Sequence, residues 1–195
     1  LAELYSGKVG KPCVVTVPKM NFLMIDGHGD PNTSQKYVDA IQTLYPLAFA
    51  LKFICKKELG KDFTVLPLEG LWWAEDMDTF ITGKKDAWSW TMMIMQPEFI
   101  TNDLYERALE AVKTKKNPPA IDKVRFHAYD EGRAAQVMYV GAYADEGPTI
   151  AGLHEFIAKQ GGSLQDTNKH HHEIYLGDPR RSDPAKLKTI IRQPF

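Results

Sequence analysis

Two cysteines, Cys13 and Cys55, are the only thiols in 195 residues, and neither belongs to a C-x-x-C pair. That argues against a disulfide scaffold and a structural zinc site, and it fits a reducing cytoplasm. An excess of one charge is missing too. Lys and Arg total 24 against 25 Asp and Glu, so the chain has no general electrostatic reason to seek nucleic acid or an anionic membrane. No run of about 18 apolar residues is present, so no membrane span is expected. The opening stretch LAELYSGKVGKP is too polar for a signal peptide. There is no helix-turn-helix segment ahead of the folded part, and no G-x-S-x-G, P-loop or G-x-G-x-x-G motif; Gly27-His28-Gly29 reads as a turn. His170, His171 and His172 suggest a metal, but neighbours on a strand alternate faces and cannot all ligate one ion. No metal and no cofactor is therefore expected, and nothing in the pattern fixes an oligomeric state.

The length allows a sizeable core. Residues 1–19 read as a lead-in arm. MNFLMIDGHGD (20–30) reads as a strand ending in a glycine-rich turn, with Asn32, Thr33 and Ser34 as candidate N-caps. Tyr37, Ile41, Leu44, Ala48, Leu51 and Cys55 recur at spacings of three and four, one face of a long helix ending near Leu59-Gly60. Pro46 lies inside it and should kink it or cost one hydrogen bond. Strands are expected over 63–74 and 88–96, joined by an acidic polar loop. A second helix should run from a cap at Asn102 or Asp103 to about Lys115, with NPPAID as a linker. Two strands around a DEGR turn (124–143), a helix over 149–162, a strand at HHEIYLG (171–177), one helical turn from Pro184 and a last strand TIIRQPF complete the chain.

The order contains a duplication. MIDGHGD (24–30) lines up with MYVGAYAD (138–145), PLEGLWW (67–73) with HHEIYLG (171–177), and IMQPEF (94–99) with IRQPF (191–195). Three matches in one order imply an α+β fold of two β-α-β-β repeats related by a pseudo-twofold axis, with antiparallel sheets. Repeat one covers about 20–100, a connecting helix and linker about 101–123, and repeat two about 124–195, all within a single domain from residue 20. A ligand groove is expected where the repeats meet.

The chemistry concentrates in aromatics and one acid. Ile174 and Leu176 suit a core face, which puts His171, Glu173 and Tyr175 together on the other. Trp88 and Trp90 share a face by the same alternation, while Trp72 and Trp73 point opposite ways. Leu, Ile, Val and Met suffice for the helix-facing side, so these rings, with Tyr139, Tyr143 and Tyr175, are expected on the other face, lining the groove. Glu173 is then its central acid. Burial among rings should raise its pKa unless a positive or hydrogen-bonding group is near. It would pair with a planar cation or act as general base on water, with Tyr139 or Tyr175 orienting that water or donating to a developing oxyanion. Glu69 is the matching acid of the first repeat, or else satisfies backbone beside Gly70.

In FLMIDGHGDPN, AIQTLYPLAFALKF, PLEGLWW, KKDAWSWTMMIMQP, EGRAAQVMYVGAY, HHEIYLGDPRR and KLKTIIRQPF, the chain from about Asn21 to Phe195 resembles the GyrI-like small-molecule-binding family. The resemblance implies two β-α-β-β repeats with a ligand groove at their junction. It also implies that a Glu matching Glu173 lies at the base of an aromatic pocket that takes cationic drugs in effector domains of transcription regulators. The last two motifs are similar to a stand-alone branch that includes hydrolases of cyclopropanoid DNA-alkylating compounds. Two functions follow: a hydrolase using Glu173, or a non-catalytic ligand sink or sensor. Inhibition of a partner such as a topoisomerase rests on the resemblance alone.

Overall fold

A computed structural model describes residues 1–75, 83–164 and 170–195. Most of the acidic loop expected after Ala74 lies outside these residues. In chain order the elements are β1 (Cys13–Val17), β2 (Met20–His28), α1 (Gln35–Leu59), β3 (Glu69–Trp73), β4 (Ser89–Gln96), α2 (Asn102–Lys115), β5 (Arg125–Tyr129), β6 (Gly132–Val140), α3 (Gly147–Lys159), β7 (His171–Tyr175) and β8 (Lys188–Pro194). The fold is mixed α+β, and its strand ladders are antiparallel.

Two units divide the chain. The first comprises residues 1–19, 68–71 and 130–195; the second comprises 20–67 and 72–129. Strand order in the first is β1-β6-β8-β7-β3, and in the second β3-β4-β2-β5, with β3 contributing its opening residues to one and its closing tryptophans to the other. The stretches β2-α1-β3-β4 and β6-α3-β7-β8 share an element order, and within each the third strand pairs with the first. The two strands around the DEGR turn are present but do not form a hairpin. β5 pairs with β2, and β6 pairs with β1 and β8.

In the second unit, α1 lays Ala40, Leu44, Leu47, Ala48, Leu51 and Cys55 into the core. It runs uninterrupted through Pro46 and stops at Gly60, whose φ of 64° places it in the left-handed region that ends helices. By length and composition α1 is long and apolar enough to cross a membrane; here its apolar face is packed on β2, β4 and α2. The cap of α2 is Thr101, not Asn102 or Asp103: its hydroxyl accepts from the Leu104 N–H at 3.3 Å.

In the first unit, α3 covers one sheet face. Leu153 and Ile157 pack on Ala135, Val137 and Ile191, with Tyr139 at the margin. On the opposite face Met138, Ile174 and Ile190 cluster with Tyr5. The lead-in arm is thus part of the fold: Ala2–Tyr5 forms a 3-10 turn that buries Leu4, and β1 extends the sheet alongside β6.

Candidate functional site

Strand β7 carries different chemistry on its two faces. Ile174 lies opposite Ile190, in the cluster with Tyr5, whereas Glu173 lies opposite Ile191, in the cluster under α3. Opposed residues of an antiparallel pair point the same way. Glu173 therefore faces the side of the sheet that α3 covers, not a helix-free side as the hydropathy pattern implied. The reason is that the second face of this sheet is already closed, by the N-terminal segment.

His171, Glu173 and Tyr175 stand in a row on the α3 face. His171 Nε2 donates to Glu173 Oε1 at 2.8 Å, and the Tyr175 hydroxyl donates to Oε2 at 2.8 Å. The ring of Tyr143 meets that of Tyr175 edge-on at 5.6 Å. Glu146, the residue preceding α3, makes no capping bond to the helix; its carboxyl group stands near that of Glu173 and helps to lower the Glu173 pKa. Neighbouring carboxyl groups can share one proton, as in acid–base dyads. Glu173 is 8% exposed. Burial by itself would raise its pKa, but the bond and charge of His171, the bond from Tyr175 and the nearby Glu146 carboxyl outweigh it and hold the carboxyl below its ordinary value. Tyr143 is pushed up to about 12 by burial and then by the Glu173 charge, so it stays a neutral phenol. His154, on α3, is shifted down by burial and by the charge of His171.

The other face of β7 holds a buried charge network. Both ring nitrogens of His172 are engaged, Nε2 with Glu69 Oε2 at 2.7 Å and Nδ1 with Glu131 Oε1 at 2.8 Å. Arg192 Nη1 reaches Glu131 Oε2 at 3.0 Å, and Tyr5 donates to Glu69 Oε1 at 2.5 Å. Two carboxylates thus meet two cations with every acid satisfied, the condition under which buried charge is tolerated. Burial would lower the His172 pKa, but Glu131 and Glu69 raise it to about 9.

This network accounts for Glu69. It is fully buried and bonded to Tyr5 and His172, on the face away from Glu173. Tyr139 lies at the edge of the α3 core, and its hydroxyl donates to the Ala142 carbonyl at 2.8 Å, tying down the turn that leads to Tyr143. The tryptophans belong to the second unit. Trp90 is completely buried on the helix-covered face, edge-on to Tyr37 of α1 at 5.5 Å, with its Nε1 donating to the Gly29 carbonyl. Trp72 packs on Tyr37 and Trp88. Trp73 and Trp88 are half-buried. The expectation that the rings lie opposite the helix is corrected for Trp90 and Trp72. Gly27 leaves room for Trp90 beneath α1, since a β-carbon there would sit 2.1 Å from its ring.

The sequence reading missed Glu146, His154 and the partners of His172. Glu146 reads as an ordinary acid at a helix start, and only the fold brings it to Glu173. Among the described residues no group of three or more His, Cys, Asp or Glu is placed to hold a metal ion.

The model of the GyrI-like small molecule binding domain matches residues 11–194, so the chain belongs to that family. Over 99% of its length it is similar to an uncharacterized conserved protein from Listeria innocua, at 39% identity, 95% coverage of that chain and a TM-score of 0.88. It is similar to a hydrolase from Listeria innocua at 37% identity, with the same coverage and a TM-score of 0.84. The EcmrR C-terminal domain shares the fold at 14% identity, with 94% of this chain and 96% of that one covered and a TM-score of 0.60. No curated protein matches the chain.

Proposed function

We propose that the first unit captures planar, hydrophobic small molecules, cationic ones above all, at Glu173. The observation that carries this reading is a buried carboxylate kept ionised and bonded to Tyr175, whose ring Tyr143 meets edge-on. A cation entering there meets a full negative charge at low hydration, and each ring face contributes roughly 0.5–2 kcal/mol. A carboxyl held below its ordinary pKa is a better counter-ion than proton acceptor, so binding is the primary role.

A second reading, hydrolysis of activated cyclopropanes, is favoured by the Glu146–Glu173 pair and by the likeness to the Listeria innocua hydrolase. In it, Glu173 takes a proton from water as the water oxygen bonds to a ring carbon. The ring C–C bond breaks, its electron pair passes to the conjugated carbonyl oxygen, and that oxygen takes the proton held by the carboxyl pair. General base catalysis of this kind contributes about 100- to 10,000-fold. Incubation with a cyclopropane conjugated to a carbonyl, followed by mass spectrometry for a gain of one water, tests it. Glu173→Gln should abolish the gain in a variant that still unfolds cooperatively, at a lower melting temperature because the stabilising charge is gone; water addition at the original rate in that variant defeats the hydrolytic reading.

A further inference from the structure

Thr189 is wholly buried, and its hydroxyl has no hydrogen-bond partner among the described residues. On β8 it stands directly opposite Tyr175 of β7 on one side and Tyr139 of β6 on the other. All three share the face covered by α3, the face of Glu173. The two phenols have acceptors of their own, Glu173 for Tyr175 and the Ala142 carbonyl for Tyr139. Valine would fill the same volume without burying a hydroxyl, yet threonine is present. Buried polar groups of native proteins are met by protein, water or ligand, and no described residue meets this one. Near His171, which begins the same row, His154 Nε2 is another buried polar atom without a partner among the described residues.

Glu173 is the diagonal neighbour of Thr189 across β7 and β8. Diagonal β-carbons lie about 7 Å apart, a gap that a threonine and a glutamate side chain close through one water. We propose that Thr189 is a contact residue of the Glu173 site, its hydroxyl fixing a water molecule against the Glu173 carboxylate. In the binding role that water completes the ligand's polar contacts; in the hydrolytic role it is the nucleophile. The assignment rests on Glu173 being the ligand site, and its test separates the two.

Thr189→Val and Thr189→Ser are compared with the unaltered protein by melting temperature, ethidium affinity and water addition to a carbonyl-conjugated cyclopropane. A high-resolution crystal structure of the unaltered protein is solved alongside. The expected result is a water bonded to Thr189 Oγ1 and Glu173, and a Val variant that melts at or above the original temperature. That variant should lose about tenfold in affinity or turnover, and Ser should restore it. A Val variant equal to the original in both functions overturns the assignment, as does a dry Thr189. If the unaltered protein neither binds ethidium nor adds water, the reading of Glu173 fails by itself. The crystal structure then decides Thr189 alone: a water bridging it to Glu173 upholds the contact, and its absence ends it.

Discussion

A carboxylate removed from water stays ionised only where donors replace its hydration. Glu173 has two, the His171 imidazole and the Tyr175 phenol, and the nearby Glu146 carboxyl adds to their effect. Its depressed pKa means its charge contributes stability above the ordinary carboxylate range, and that contribution is lost only as pH falls through the lowered value. The side-by-side placement of residues 171, 173 and 175 was legible, because strand alternation is a local property. What that face meets was not, because it depends on where α3 and the N-terminal segment pack. Trp90 shows the same limit. Both faces of β4 are apolar, so alternation set its company with Trp88 but not its direction. Buried against Tyr37 and above Gly27, Trp90 is a core residue of its unit. Trp90→Ala should cost about 3–5 kcal/mol, read as a lower denaturation midpoint. A midpoint within error of the original would place that ring outside the core.

At the scale of elements, the N-terminal turn contributes contacts that a lead-in arm would not. Arg192 Nη2 donates to the Leu4 carbonyl at 2.5 Å, and Gln136 Nε2 donates to the carbonyls of Glu3 and Ser6 at 2.9 Å each. Those donors are buried, and Tyr5 closes the Glu69 end of the network. Deleting residues 1–6 leaves a guanidinium and an amide short of partners, which should cost about 3–5 kcal/mol. Chemical denaturation measures it, and an unchanged midpoint would mean the turn merely rests on the sheet. Nothing in LAELYS announces this role: short polar segments look alike whether they drape or plug. The helices were easier to read, because α1 carries its own periodic face and its own glycine stop. Even so, the α2 cap lay one residue earlier than expected, since Thr101, Asn102 and Asp103 all have capping side chains.

For the whole molecule, the buried network ties stability to pH. His172 is raised from 6.5 to about 9. A raised pKa contributes stability that is complete below about pH 6.5 and is lost as pH climbs through about 9, on the order of 3 kcal/mol in all. Glu131 is held low, with the opposite sign: burial would raise it, but His172 and Arg192 outweigh that, and its contribution fades as pH falls through the lowered value. The melting temperature should therefore be highest in mildly acidic solution and decline from pH 6.5 to 9. His172→Gln should flatten that decline; a slope that persists in the variant would locate the titrating group elsewhere. The α+β class and the repeated element order were legible from three short matches, because repeated motifs survive in sequence. The charge network was not, because Glu69, Glu131, His172 and Arg192 are scattered along the chain and nothing local pairs them: Glu69 reads as a groove acid, and Glu131 and Arg192 carry no signal of their own.

Titration of ethidium into the protein and into Glu173→Gln at neutral pH, followed by calorimetry, bears most directly on the claim that an ionised Glu173 holds the ligand. Saturable binding that weakens at least tenfold in the Gln variant, with both proteins folded and melting cooperatively, is the expected result. Equal affinity in the two would contradict it.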